Sequence, residues 1–591
     1  MAKENKKDNL QNLPDCISKF INMVIKKMRY RRKVGREVQA ELTAHFEDVF
    51  KDHPAGKERD EKARQLISEF GDVKLLAVLL RRAKKRCRPL WRTVVARSFQ
   101  TIGILILCFI FYCVYISLGQ PNISVNYVRE MTNMTRPIVD ESQNAAPLYQ
   151  KAFDLYKEPP DVEIKKEELV FWDDKKLLNA IGNKSWVDEL TPEELASLEI
   201  WISSNTEAIE LFKQATEKPY CWWERQVDGE LLLNILLPEL SKMRDFSRLL
   251  SWQAVLKTHS GYNEEAFDDL LACYRASQHL EGPRMLVEQL VGWAIKAKSL
   301  RTAFVILQHR QVEGPLLKDF QANLENLMAE ETYIPDFTTE RFFILDFIQR
   351  CYTDDGSGSG HMIPGRLSII SSSDSDILND FDNPFFNYGQ CLALSLISAD
   401  RDDMRQTFEN YFDHAQQWAD KTPWQLHQEN VDFDMGFFEW PRLKQIRYWP
   451  VMVMLPALGR ISEMAYRSKL EVEATITMMG LFRYRQDTSQ YPENLDELVI
   501  AGYIKKVPMD CFSDKPLVYK KTGDDFLLYS FGRNCTDDGG EPGYDDDDGK
   551  YQMWSDEDAD AIFWPVPEPK IITAPPRKFP DFQEQMEQMT R

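Results

Sequence analysis

Between Asp537 and Asp560 the chain sets eleven Asp and Glu against one Lys, with glycines interspersed. Clustered carboxylates in a Gly-rich loop are the chemistry of a hard cation, because calcium takes about 6–8 oxygen ligands. The competing reading is a solvated acidic turn, the usual meaning of a charge run. The run is not an EF-hand. In the register Asn534, Thr536, Asp538, Gly539 the closing position is Asp545 rather than Glu. Cys511 and Cys535 flank two short strand candidates, and they either close a loop as a disulfide or remain two thiols.

Other reactive residues have weaker spacing. His45 and Asp48 share one helix face, which suits a surface hydrogen bond or a partner contact better than a two-ligand metal site. The run Gly356–His361 resembles a nucleophile elbow only superficially, since the serine position of G-x-S-x-G falls on Gly358. No P-loop, H-E-x-x-H, C-x-x-C or dinucleotide fingerprint is present. The expectation is a protein that is not an enzyme. The second functional class is an envelope hydrolase or carbohydrate-binding protein using aromatics such as Phe408, Tyr411, Trp418, Trp424 and Trp440. An aromatic stripe is more often core than a sugar platform.

The element that positions everything else is the stretch Phe99 to Leu118, which from Thr101 onward carries no formal charge. About 20 apolar residues at 1.5 Å each cross a bilayer core of roughly 30 Å as a helix. Arg81, Arg82, Lys84, Lys85, Arg86, Arg88, Arg92 and Arg97 precede it, and the next cation is Arg129. Lys and Arg beside a span stay in the cytoplasm. The N-terminus is therefore expected inside and residues 119–591 in the periplasm of a bacterial inner membrane. Residues 1–98 hold 25 Lys and Arg against 13 Asp and Glu, a net of +12, so the remainder of a chain of net −20 carries −32. Such a remainder does not attract nucleic acid or anionic lipid. The apolar run starts too far from the N-terminus for a cleaved signal peptide.

The fold class expected is mostly α: an N-terminal helical module, one transmembrane helix, a large α-helical array and a small α+β C-terminal domain. Residues 1–12 read as disordered and 13–90 as helical. Within the latter, Ile17, Phe20, Ile21, Val24 and Met28 line one face. Glu41, Leu42, His45 and Asp48, followed by Phe70-Gly71-Asp72, resemble the three-helix permease-prefix or sensor-accessory module of bacteria. That resemblance implies a cytoplasmic protein-interaction domain. After the span, 121–143 reads as an extended linker and 144–350 as a helical array, a shape that often binds proteins. Residues 351–380 form a Gly/Ser-rich loop, and 381–460 an aromatic-rich helical region. Residues 461–563 form the last domain, and 564–591 a Pro-rich tail.

That last domain orders a long helix, then Tyr484, Asp487, Tyr491-Pro492, Leu495 and Leu498, then Val507-Pro508-Met509-Asp510, then Tyr529-Ser530-Phe531-Gly532. The order resembles the globular part of the major pseudopilin of type II secretion. The resemblance implies a calcium loop with ligands from Asn534, Asp537, Asp538, Asp558 and Asp560. Three positions depart from the family pattern: Ser489 stands for Gly, Cys511 for Pro and Asn534 for Asp. The long helix is also not the membrane span, so processing and polymerisation into a pseudopilus are not expected. Protein partners are expected on both sides of the membrane.

Overall fold

The computed structural model describes residues 13–53, 56–86, 90–160, 177–181, 184–227, 231–329, 333–354, 356, 359–367, 388–431, 435–455, 457–545, 549, 551–555 and 558–570. The chain is mostly helical and divides into two units, Met1–Val114 and Tyr115–Arg591.

The first unit has four helices before the span: α1 (Asp15–Met28), α2 (Arg32–Phe50), α3 (Lys57–Phe70) and α4 (Val73–Arg86). The face read from the spacing of α1 is the buried one. Phe20, Phe46 and Phe70 meet at its centre, with ring centroids 5.3–6.3 Å apart. The module has four helices where three were expected, and the Phe-Gly-Asp signature explains the extra break. Gly71 has φ 74° and stops α3. Asp72 Oδ1 then accepts the Lys74 N–H at 2.8 Å and starts α4. His45 lies edge-on to Phe70 at 5.9 Å, a packing role.

Helix α5 runs from Leu90 to Ser117 and is long and apolar enough over Val94–Ser117 to cross a membrane. Only 6 % of its most apolar window is covered by protein, and Phe99, Leu105, Phe111 and Tyr115 are exposed.

In the second unit the stretch 121–143 is not an extended linker. It contains α6 (Tyr127–Thr135), whose Asn126 cap accepts the Arg129 N–H at 3.1 Å. Tyr127 stacks against Phe342, and Gln349 exchanges two hydrogen bonds with the Val125 backbone at 3.2 and 2.8 Å. The cap and the apolar positions 127, 128 and 131 were enough to make a short helix once a partner surface was present.

The helix Pro192–Ser204 starts as its sequence requires, with Thr191 and Glu194 forming a reciprocal capping box. Helices α7 (Pro238–His259), α8 (Asn263–Gln278), α9 (Leu286–His309) and α10 (Gly314–Ala329) follow; α7, α8 and α9 pack on one another, and α10 packs on α8. Gly261 and Gly282 take positive φ at two of the turns. The long helix α11 (Leu458–Thr488) lies against both α9 and α10. It buries Leu470, Val472, Met478, Met479 and Leu481 in one hydrophobic core that runs from Ala145 to Trp564. The expected domain border at 461 is therefore no border in the core. A second core holds Phe337, Phe347, Phe408, Tyr411, Phe412 and Phe437, so these aromatics are interior packing and not a sugar platform. Of the Gly/Ser-rich loop, the described part is a tight reversal in which Thr353 and His361 pair. Residues 1–12, 368–387 and 571–591 lie outside the described residues.

Candidate functional site

The acidic loop is a connection within a small antiparallel sheet. Strands β1 (Val518–Thr522) and β2 (Asp525–Ser530) form a hairpin with Thr522 opposite Asp525, and Gly523 supplies the positive φ of its turn. Strand β3 (Ala561–Trp564) returns to pair with β2. It was not foreseen, and it takes Trp564 out of the expected tail. Its four residues are all buried, so it lacks the alternation that marks a half-exposed strand.

The residues singled out by sequence in this domain hold its sheet together. Asp510 is buried, and its carboxylate accepts the Ser530 hydroxyl at 2.7 Å and the Phe531 and Phe512 N–H groups at 3.0 Å. Burial raises its pKa above the usual carboxylate range. Gly532 has φ 71°, and a Cβ there would come within 2.8 Å of the Ala559 carbonyl. Tyr519 donates to the Pro492 carbonyl at 2.7 Å, and the Tyr491 ring sits 4.8 Å from Phe526. Each of these contacts is structural.

The loop itself gathers four of the five expected ligands. Asn534 Nδ2 donates to Asp538 Oδ2 at 2.7 Å. Asp537 Oδ1 accepts the Tyr529 hydroxyl at 2.8 Å and the Gly539 N–H at 3.0 Å. Asp560 Oδ1 accepts the Asp538 N–H at 3.3 Å, and its Oδ2 the Gly540 N–H at 2.6 Å. Asp560 is buried and its pKa rises to about 6. Burial is the main cause, and nearby Asp538 and Asp537 add to it against the two backbone hydrogen bonds. Asp558 is exposed and joins none of these bonds. Among the described residues no three Asp, Glu, His or Cys side chains converge as metal ligands. Asp537, Asp538 and Asp560 each accept an N–H or O–H donor. Asp546 to Asp548 lie outside the described residues.

Of the two readings open for Cys511 and Cys535, a disulfide or two thiols, the structure has two free thiols. Cys511 Sγ lies 3.8 Å from the Tyr466 carbonyl of α11, whereas Cys535 Sγ stays within its own turn, 3.9 Å from the Arg533 carbonyl. Burial raises both thiol pKa values, that of Cys535 to about 11. Neither is poised as a nucleophile.

Sequence reasoning missed a buried charge network. Arg225 bridges Glu239 and Glu288, and Arg284 reaches Glu288 at 3.4 Å and the Cys221 carbonyl. All four side chains are less than a tenth exposed. Glu340 beside them accepts the Leu286 N–H at 2.7 Å, and burial raises its pKa. A buried His279 bridges the Tyr149 hydroxyl and the Lys218 carbonyl, both at 2.8 Å, and burial lowers its pKa to about 4. It is neutral and locked. Arg284 and Glu288 are four residues apart, but no local signal marks Arg225 or His279, whose side-chain partners Glu239, Glu288 and Tyr149 stand 14, 63 and 130 positions away. No family model, curated protein or solved structure matches this chain.

Proposed function

We propose that this chain is a single-span protein of a bacterial inner membrane with a non-catalytic binding role. Its N-terminal helices face the cytoplasm, and residues 119–591 form a periplasmic binding body. One observation carries the reading: α5 exposes apolar side chains along its length, directly after a dense run of cations. An uncovered apolar helix of that length is stable in lipid and costly in water. The opposite net charges of the two parts support the orientation. The binding role is supported by how the buried ionisable groups are used. The Arg225 network and His279 hold helices together and leave no activated nucleophile of their own. The last domain is read as a pseudopilin-type helix and sheet used as part of a larger body, with protein partners on both sides of the membrane.

Reporter fusions test the topology. Alkaline phosphatase fused after Asn122 should be active, and a fluorescent protein fused to the N-terminus should glow. The reverse pattern, or a chain released by salt washing of membranes, would overturn the proposal.

A further inference from the structure

A cavity of about 730 Å³ opens between α7 and α9. Its charge is opposite to that of the body that contains it. Lys184, Lys242, Arg244, Arg248 and Lys298 line it, against Glu158 and Asp245. Residues 119–591 carry a net −32, so five cations in one cleft are a local inversion.

Helix geometry builds the cationic wall. Arg244 and Arg248 are four residues apart on α7, and Asp245 and Trp252 also face the cleft. Lys298 comes from α9, one turn beyond Ile295. Some of these charges are already answered. Lys184 pairs with Glu194 at 2.5 Å, Lys242 with Glu158 at 2.9 Å and Arg248 with Asp245 at 3.3 Å. Arg244 and Lys298 have no carboxylate at ion-pair distance among the described residues. Arg244, Arg248 and Lys298 are all exposed to solvent. Exposed cations without a protein carboxylate are free to pair with an anion that enters the cleft. The rest of the wall sets the apolar Leu178, Ile181, Ile295 and Trp252 beside Ser241 and Ser247.

We propose that this cleft binds a small organic anion, a phosphate ester or polycarboxylate. Its charged end meets Arg244, Arg248 and Lys298, and its carbon skeleton lies against Ile181, Ile295 and Trp252. Arg forks suit both anions because they donate two parallel hydrogen bonds. The cavity has the size of a small-molecule site. The assignment is independent of membrane topology, so either reading survives the failure of the other.

Calorimetric titration of the detergent-solubilised full chain tests it, with phenyl phosphate in one arm and citrate in the other. Saturable binding in either arm, weakened at least tenfold by Arg244→Gln or Lys298→Gln and by raised salt, is the expected result. The arm that binds names the anion. Thermal melting separates function from structure. Lys298→Met should abolish binding while leaving the melting temperature near that of the parent, because an exposed side chain carries little of the fold. Absence of saturation by both probes up to 10 mM overturns the proposal, as does binding unchanged in both Gln variants. A Lys298→Met variant that melts lower than the parent also overturns it, by making Lys298 a structural residue. Binding of poly-glutamate with neither small anion bound would place a macromolecule there instead and overturn the assignment.

Discussion

Ser489 shows how a residue-level departure from a family pattern becomes a physical statement. It ends α11 with φ 63°, in the left-handed region where a Cβ is unfavourable. Ser489 is exposed and makes that turn without a glycine. Ser489→Gly should therefore stabilise the chain by about 0.5–1 kcal/mol, read as a rise in urea midpoint at unchanged slope. Asp560 makes a second prediction at this scale. Folded, it holds its proton up to about pH 6, whereas an ordinary Asp loses it near 3.8. Between those pH values the folded chain binds the extra proton. Its stabilising share is complete below the unfolded value and is lost as pH rises through 6. The carboxyl carbon resonance of Asp560 should titrate with a midpoint near 6, and Asp560→Asn should flatten the stability slope across that window. With the loop closed on its own hydrogen bonds, millimolar calcium should leave the midpoint in place. A fall of a unit or more would restore the cation reading.

At the scale of elements, legibility followed locality. The capping box at Thr191 and the buried face of α1 were readable because each signal lies within a few residues of its effect. The sheet motifs were also visible as positions, although their purpose was not. Asp510 matters for what it accepts from Ser530 and Phe531, twenty residues on. Helix α6 and strand β3 were missed for a related reason: each is short and exists by packing on a distant partner. The Arg225 network is the extreme case. Arg225→Met should cost about 3–5 kcal/mol, because Glu239 is then buried without its cation. The double change with Glu239→Leu should recover part of that loss in the same denaturant titration, since it removes the stranded charge with its partner. In the N-terminal module, Phe46 is fully buried and joins the Phe20–Phe70 cluster. Phe46→Ala should cost about 3–5 kcal/mol there.

For the whole molecule, the decisive feature is that α11 belongs to two structures at once. One side closes the C-terminal sheet, where Phe482 meets Tyr491, Phe526 and Trp564. The other side meets α9 and α10, and polar contacts stitch the same seam. Arg301 pairs with Glu471 at 3.1 Å, Arg483 donates to Gln321 at 2.8 Å, and Gln486 donates to the Val312 carbonyl at 2.7 Å. Sequence pattern assigns α11 to the domain that follows it, because hydrophobic periodicity marks a buried face without naming what buries it. A fragment of residues 460–570 should therefore expose the face that α9 and α10 cover. We expect it to aggregate, or to melt without a cooperative transition, while residues 115–570 melt cooperatively. Calorimetry on the two fragments distinguishes the cases. A sharp transition in the short fragment would mean that the sheet and α11 suffice as a head, and that the shared core is a docking interface between separately folding parts. A single transition in the long fragment alone would make the helical array and the sheet one cooperative body. Ligand occupancy of the α7–α9 cleft would then be felt at the sheet through α9, the helix common to both contacts.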